Sequence, residues 1–488
     1  MTDAPISLGA RLSQLAGQRP DRPAVSDEHR TLTWAELDRR TNQMARGLLA
    51  LGVRQGDLVT VGLRNSVGFV EACFALWKAG ATPQPISFRL PPAEAEAVME
   101  LAQTPILIAG ADFAASRPRF DADDLHARGG EDAPIEDRTA PIYKAPTSGG
   151  STGRPKLILS GQPAVFAPSP DGVGAYRTSG DDVMVMPGPL YHNGPFTSGF
   201  GGLFQGAHLV ILPRFDAEAT LAAIARWKAT WIYLVPTMMS RIWRLPETVR
   251  AGYDVSSLRT AWHLAAPCPP WLKEAWIGWL GPEVIMELYA GTEAQAVTII
   301  TGAEWLEHRG SVGKVTVGEM AAFDADGARL APGETGEIYM RRAEGSAPTY
   351  QYRGAEARTL PGGWESLGDI GWFDADGYLY LADRRADMIL VGGANVYPAE
   401  IEAALDEHPL VASSAVIGLP DEDLGSRIHA IVQARPGLTE AALRAHLAER
   451  LVSYKQPRAY EFVAENIRDD AGKVRRSQLR AERLDRTT

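Results

Sequence analysis

Between residues 32 and 236 the apolar residues switch repeatedly between a helical and a strand period. In LTWAELDRRTNQMARGLLALG (32–52), Leu37, Met44, Leu48 and Leu51 recur at helical spacing, and Gly52 is a natural stop. DLVTVGL (57–63) reads as a strand, FVEACFALWKAG as the next helix, and ATPQPI as a strand after the glycine turn. AHLVILP (207–213), TLAAIARWKAT and WIYLVP (231–236) repeat the alternation. A chain patterned this way folds as α/β with largely parallel sheets, because each parallel strand pair needs a covering crossover.

The texture changes past Leu381. DRRADMILVGG is charged and then apolar, PAEIEAALDEHP is helical, ASSAVIGLP and IHAIVQAR are strands, and TEAALRAHLAERL is a helix. The expected fold class is therefore α/β, in two parts. A large N-terminal domain of mixed, largely parallel sheets with helices occupies 1–382, and a small α+β domain occupies 383–488, with a hinge near 383–387. The polar stretch 111–140 is expected to be a surface connection or a shortened sub-domain, and the basic tail KVRRSQLRAERLDRTT a solvated helix. FDADG occurs at 323–327 and at 373–377; each reads as a tight hairpin turn, since an EF-hand would need further ligands and a glutamate at its twelfth position.

Bulk numbers exclude several functions. With 49 basic and 60 acidic residues the net charge is −11, which argues against nucleic acid as a main partner. Two cysteines, Cys73 and Cys268, cannot build a disulfide framework, and no Cys/His cluster has zinc spacing, so a reducing, cytoplasmic setting is expected. The N-terminal residues lack the apolar core of a signal peptide, and no apolar run approaches the ~20 residues that span a bilayer.

TSGGSTGRPK (147–156) packs hydroxyls, glycines and two cations into one loop. Its order is not that of the usual nucleotide loop, since Arg154 stands five residues after Gly149 and Lys156 follows a proline. Glycines let a backbone approach phosphate oxygens, and hydroxyls and amides donate to them. A flexible linker is the rival reading of that stretch taken alone. YAGTE (289–293), SLGDIGWFDADGYLYLADRRADMILVGGANVYPAEIE (366–402) and AGKVRR (471–476) follow in order. Together these motifs resemble the adenylate-forming superfamily of acyl-CoA synthetases, adenylation enzymes and luciferases, over residues 7 to 481.

The resemblance implies a mobile small domain, ATP/AMP, Mg²⁺ and coenzyme A as cofactors, and roles for matching residues. Thr147, Ser148, Gly149, Gly150, Ser151, Thr152, Gly153 and Lys156 would hold the β- and γ-phosphates of ATP, with Thr152 also near the metal. Tyr289, Ala290 and Gly291 belong to the nucleotide and acyl turn; Thr292 would meet the α-phosphate and Glu293 would hold Mg²⁺. Asp369 and Arg384 would bind the ribose, and Lys473 would bridge carboxylate and α-phosphate during adenylation. Gly392 and Gly393 would let the pantetheine arm pass in a second, thioester-forming step. Ala265, Ala266 and Pro267 take the place of the small-small-proline turn beside the adenine.

YHNGPF (191–196) lines up with the acyl-binding segment, which makes His192 and Asn193 candidates beside the carboxylate, with Trp262 as a candidate wall. No acid stands there to pair a substrate ammonium, so a non-amino acid is expected. The segment 262–313 is similar to synthetases of bulky alicyclic, steroid or terpenoid acids; short-chain, aromatic and fatty acids stay open. Four positions depart from the family pattern: Ala290, Ala386 and Ala394, and a lysine motif without its proline but with Asp469 and Asp470 beside Lys473. The expected activity is ATP-dependent ligation of a small-molecule carboxylic acid to CoA. The alternatives are an enzyme with one half-reaction, one that loads a carrier protein, and a non-catalytic nucleotide binder. A homodimer is left open.

Overall fold

The computed structural model describes residues 4–113, 115–149, 155–169, 173–343, 345–391, 394–421, 424–469 and 472–485. A run of parallel strands forms the centre of the largest sheet. Val183–Met186 lies between His208–Ile211 and Trp231–Leu234; Thr260–His263 and Ile285–Ala290 continue the parallel order. Beyond Ile285–Ala290 the pairing turns antiparallel, through Val297–Thr301 and Ser311–Val317 to Tyr378–Arg384 and Trp364–Phe373. A separate parallel sheet holds Leu58–Gly62, Thr82–Pro85, Leu107–Ala109 and Arg119–Phe120. This is the α/β architecture expected from the alternation. The helices Trp34–Ala50, Val67–Lys78 and Ala217–Trp227 fall where the periodicity placed them.

The helix Asn193–Gln205 is fixed by close packing at both ends. A Cβ on Gly194 would sit 2.6 Å from the Tyr233 hydroxyl, and one on Gly202 would run into Met184 Sδ. Its Phe196, Phe200 and Phe204 ring Trp77 edge-on, and Trp77 Nε1 donates to the Tyr143 carbonyl at 2.9 Å. Burial of large aromatic faces dominates such a core. The position of residue 193 is thereby set by the core.

The stretch 111–140 is more than a connection. Asp121 and Asp124 form a capping box on the helix Ala122–Gly129. That helix lies so close to Trp34–Ala50 that a Cβ on Gly47 or Gly129 would clash with the backbone carbonyls of Leu125 or Gln43. Leu125 is fully buried there. Both FDADG copies are turns: Asp374 Oδ1 accepts the amides of Asp376 and Tyr378 at 3.0 and 2.8 Å, and Asp324 Oδ1 serves Asp326 and Ala328 likewise. Asp374, Asp376 and His308 do bring three ligand-type atoms together, with His308 Nδ1 3.3 Å from Asp374 Oδ2.

Residues from Ile389 to Leu451 pack a core of their own around the antiparallel pair Val411–Asp421 and Gly425–Ala434 and the helices Pro398–Asp406 and Glu440–Ala448. The basic tail is not free in solvent as expected. On the helix Arg476–Asp485, Leu479 and Leu484 pack against Ile417, Leu419 and Ile431, and Arg483 grips both oxygens of Glu461 at 2.6 and 2.9 Å. One apolar face and one bidentate pair suffice to dock an otherwise charged helix. Among the described residues no helix is long and apolar enough to cross a membrane.

Candidate active site

Glu293 is the hub of the site. The strand Ile285–Ala290 leaves the sheet into a turn in which the Ala294 amide donates to the Gly291 carbonyl at 3.1 Å. A Cβ on Gly291 would lie 2.3 Å from Leu367 and 2.9 Å from Glu293 Oε2, so a side chain has no room there. Glu293 is 5 % exposed. Its Oε1 accepts from the Tyr352 hydroxyl and faces Lys156 Nζ at 3.6 Å, and its carbonyl accepts from Thr349 Oγ1 at 2.7 Å. Lys156 Nζ also lies 3.9 Å over the Tyr352 ring. Burial lowers the Lys156 pKa and Glu293 opposes that shift.

The second group is Tyr289, Asp369 and Arg384. Asp369 and Arg384 are directly opposed across an antiparallel pair, which brings Arg384 Nε to 3.3 Å from Asp369 Oδ1. Tyr289 donates its hydroxyl to Asp369 Oδ2 at 2.6 Å. The carboxylate of Asp369 raises the Arg384 pKa further. Burial, and then Asp369, raise that of Tyr289.

Lys473 reaches this cleft on a tight turn of the C-terminal part. Asp469 accepts the Gly472 amide on its carbonyl and the Lys473 amide on Oδ1, both at 2.9 Å. The acid suspected of drawing Lys473 away thus shapes the turn that presents it; Asp470 lies outside the described residues. Buried Glu402 anchors the turn from both sides, accepting from Arg468 at 3.2 Å and from Arg476 at 2.8 Å, as well as from the Val416 amide at 2.8 Å. Gly472, at φ +75, rests on the N-terminal lobe, where an added Cβ would meet Thr237 Oγ1 at 2.4 Å. Arg244 Nη2 donates to the Asp406 carbonyl at 2.8 Å, a second contact of this kind. Desolvation lowers the Lys473 pKa although its side chain keeps solvent contact; Arg384 lowers it further, against Asp469 and Glu293.

The remaining candidates fall at several places. Thr147, Ser148 and Gly149 form a short strand opposite Leu157, Lys156 and Pro155. Gly150, Ser151, Thr152, Gly153, Gly392 and Gly393 lie outside the described residues. His192 is the N-cap residue of the helix Asn193–Gln205, makes no side-chain capping bond, and packs on Tyr191 at 4.5 Å. Ala265, at φ +76, with Ala266 and Pro267, turns the chain out of the strand Thr260–His263. Ala290 ends its strand and Thr292 is half-buried next to Glu293. Trp262 is wholly buried in the main core and donates Nε1 to the Tyr176 carbonyl at 2.8 Å.

Three contributors escaped the sequence reading: Tyr352, Thr349 and Lys144. Tyr352 and Thr349 carry no local signal, since they reach Glu293 from more than fifty residues downstream. Lys144 stands three residues before the phosphate-type loop, which was its one available signal. It donates Nζ to Asn193 Oδ1 at 2.5 Å.

The profile of the AMP-binding enzyme family matches residues 12–350, and that of the AMP-binding enzyme C-terminal domain matches 400–473. A Rhodococcus jostii (strain RHA1) ligase that joins a 7a-methyl-1,5-dioxo-octahydroindenyl propanoyl group to CoA is 32% identical, over 99% of this chain and 100% of its own. A Bacillus cereus (strain AH820) 2-succinylbenzoate–CoA ligase is 28% identical over 96% of this chain and 97% of its own. Among solved structures, an anthranilate CoA ligase with bound anthranoyl-AMP superposes at TM-score 0.83, with 26% identity over 100% of this chain and 99% of that one. The o-succinylbenzoate CoA synthetase of Bacillus subtilis with ATP and magnesium superposes at 0.79, with 26% identity over 98% of this chain and 99% of that one. With both profiles matched in order across the two parts of the chain, this protein belongs to the AMP-binding, adenylate-forming enzyme family.

Proposed function

We propose that the site activates a non-amino carboxylic acid with ATP and passes the acyl group to CoA. The chain is an AMP-forming acid–thiol ligase of the acyl-CoA synthetase type, working through an acyl-adenylate. The observation that carries the site assignment is the buried Glu293 carboxylate with Lys156 Nζ 3.6 Å from it and further cations that feel its charge. Lys144, Lys156, Lys473 and Arg384 all lie within electrostatic reach of Glu293. Such a grouping of cations suits a triphosphate meeting a second anion. A carboxylate and an α-phosphate repel each other, and fixed cations offset that repulsion and the charge that develops during attack. Each such group is commonly worth ~3 kcal/mol in the transition state.

In this reading Asp369 accepts both ribose hydroxyls, with Tyr289 and Arg384 holding it in place. Lys156 stays with the departing pyrophosphate, and Lys473 bridges the reacting carboxylate and the α-phosphate. Glu293 would supply a carboxylate ligand for Mg²⁺, whose charge would offset that of the phosphates, and the Thr292 hydroxyl would meet the α-phosphate. The lobe boundary at 382/383, with the hinge at 383–387, lets the lysine turn leave before the thiol arrives.

The acid we favour is a bulky alicyclic propanoate. Supporting it are the relative that acts on a bicyclic dioxo propanoyl group and the segment YHNGPF (191–196), which holds no acidic residue to pair an ammonium. The test is acid-dependent exchange of labelled pyrophosphate into ATP, followed by CoA thioester formation. The panel is the methyl-dioxo-octahydroindenyl propanoate, 2-succinylbenzoate, anthranilate, benzoate and octanoate. Exchange and thioester formation with the indenyl acid above all others is the expected result; exchange with none would overturn the reading. A phosphopantetheinylated carrier offered beside CoA tests the alternative thiol.

A further inference from the structure

Lys144 is a buried cation whose near neighbour is a neutral amide. It is 8 % exposed, and its Nζ donates to Asn193 Oδ1. A buried ammonium is costly unless an anion or several acceptors offset it. Burial brings the Lys144 pKa down to about 8, and the field of Glu293 only partly opposes that. Glu293 itself is already engaged by Lys156 and Tyr352.

Its location separates Lys144 from the other three cations. Lys156 follows the phosphate-type loop, Arg384 opposes Asp369, and Lys473 enters from the C-terminal part. Lys144 instead contacts the first residue of the helix Asn193–Gln205, within YHNGPF. The Asn193 and Gly194 amides that open that 13-residue helix have no partner within it, and Pro195 after them has no amide to donate. Because Lys144 holds Oδ1 of Asn193, the Nδ2 of that amide is left to donate elsewhere.

We propose that Lys144 and Asn193 form the receptor for the carboxylate of the acid substrate. This deepens the ligase reading above and rests on it. Lys144 Nζ takes one carboxylate oxygen and Asn193 Nδ2 the other, before adenylation. The held carboxylate attacks the α-phosphorus of ATP. One carboxylate-oxygen–phosphorus bond forms, the bond from that phosphorus to the bridging oxygen breaks, and pyrophosphate leaves with the electron pair. Lys144 keeps its proton throughout, so it acts in binding and orientation.

The experiment is steady-state pyrophosphate exchange with Lys144→Met and Lys144→Arg, using whichever panel acid the wild type turns over fastest. Loss of a charge-assisted hydrogen bond should raise KM for the acid by about 10-fold to 100-fold in Lys144→Met. KM for ATP should stay within about 2-fold, and Lys144→Arg should recover part of the loss. An unchanged KM for the acid, or an equal rise for acid and ATP, overturns the proposal. If Lys144→Met does not fold, Asn193→Leu is read by the same criterion. An inert wild type ends the ligase reading and this proposal with it; an active wild type with an unaltered variant ends this proposal alone.

Discussion

The Tyr289 hydroxyl donates to Asp369 Oδ2 at 2.6 Å while Arg384 Nε lies 3.3 Å from Oδ1, so one carboxylate is aligned from two strands. The phenol fixes the plane of the group that we assign to the ribose diol. Tyr289→Phe should weaken AMP binding about 5-fold, the loss of roughly one hydrogen bond. Titration calorimetry checks this. A 2′,3′-dideoxy nucleotide, which lacks the diol, should bind wild type and variant alike; an equal loss for both nucleotides would place the effect elsewhere.

Lys473→Ala should cut adenylation by at least ~100-fold. Thioester formation from a supplied acyl-adenylate should survive, because we assign the lysine to the first step only. Pyrophosphate exchange and thioester assays run side by side on one preparation decide it. Unaltered exchange would remove Lys473 from the chemistry.

Gly472→Val should resemble the lysine variant without touching the lysine. The new side chain would strike Thr237, on which the turn docks. Exchange should fall steeply while thioester formation from supplied acyl-adenylate persists. Adding Thr237→Ala should restore part of the exchange, but not all, because φ +75 at residue 472 penalises any side chain. No recovery in the double variant would mean that the contact does not seat the turn.

Acid should destabilise the fold through two histidines. Burial lowers His208 and His263 from the usual 6.5 to about 4. Between those values the unfolded chain binds protons that the folded chain refuses, so stability falls as pH falls. Each histidine costs on the order of 3 kcal/mol once pH passes below both values. Asp406, raised to about 6 by burial, offsets part of this, because there the folded chain is the better proton binder. In His208→Gln the drop in thermal midpoint between about pH 7 and about pH 5 should shrink. An unchanged drop would show that His208 does not drive it.

How much of this was legible can be judged from particular residues. Periodicity placed the helices Trp34–Ala50 and Val67–Lys78 and the buried strands, because a 3.6-residue stripe and a short apolar run each satisfy only one kind of backbone. The turn Asp374–Gly377 was readable because an Asp side chain bonds amides two and four residues on. Leu125 and the docked tail were not, since one or two leucines in a charged stretch set no period, and their burial depends on the surface they meet.

The sequence by itself determined the fold class, the order of the motifs and the residue types that a reaction between two anions requires. These are local properties: spacing, turn chemistry and side-chain identity. Tertiary structure alone decided that Tyr352, Thr349 and Lys156 meet at Glu293, that Glu402 holds both flanks of the Lys473 turn, and that Lys144 is buried against Asn193. The reason is physical. Whether a lysine is a solvated surface charge or a desolvated cation aimed at a cleft is set by the low-dielectric mass around it, which residues far away in the chain supply.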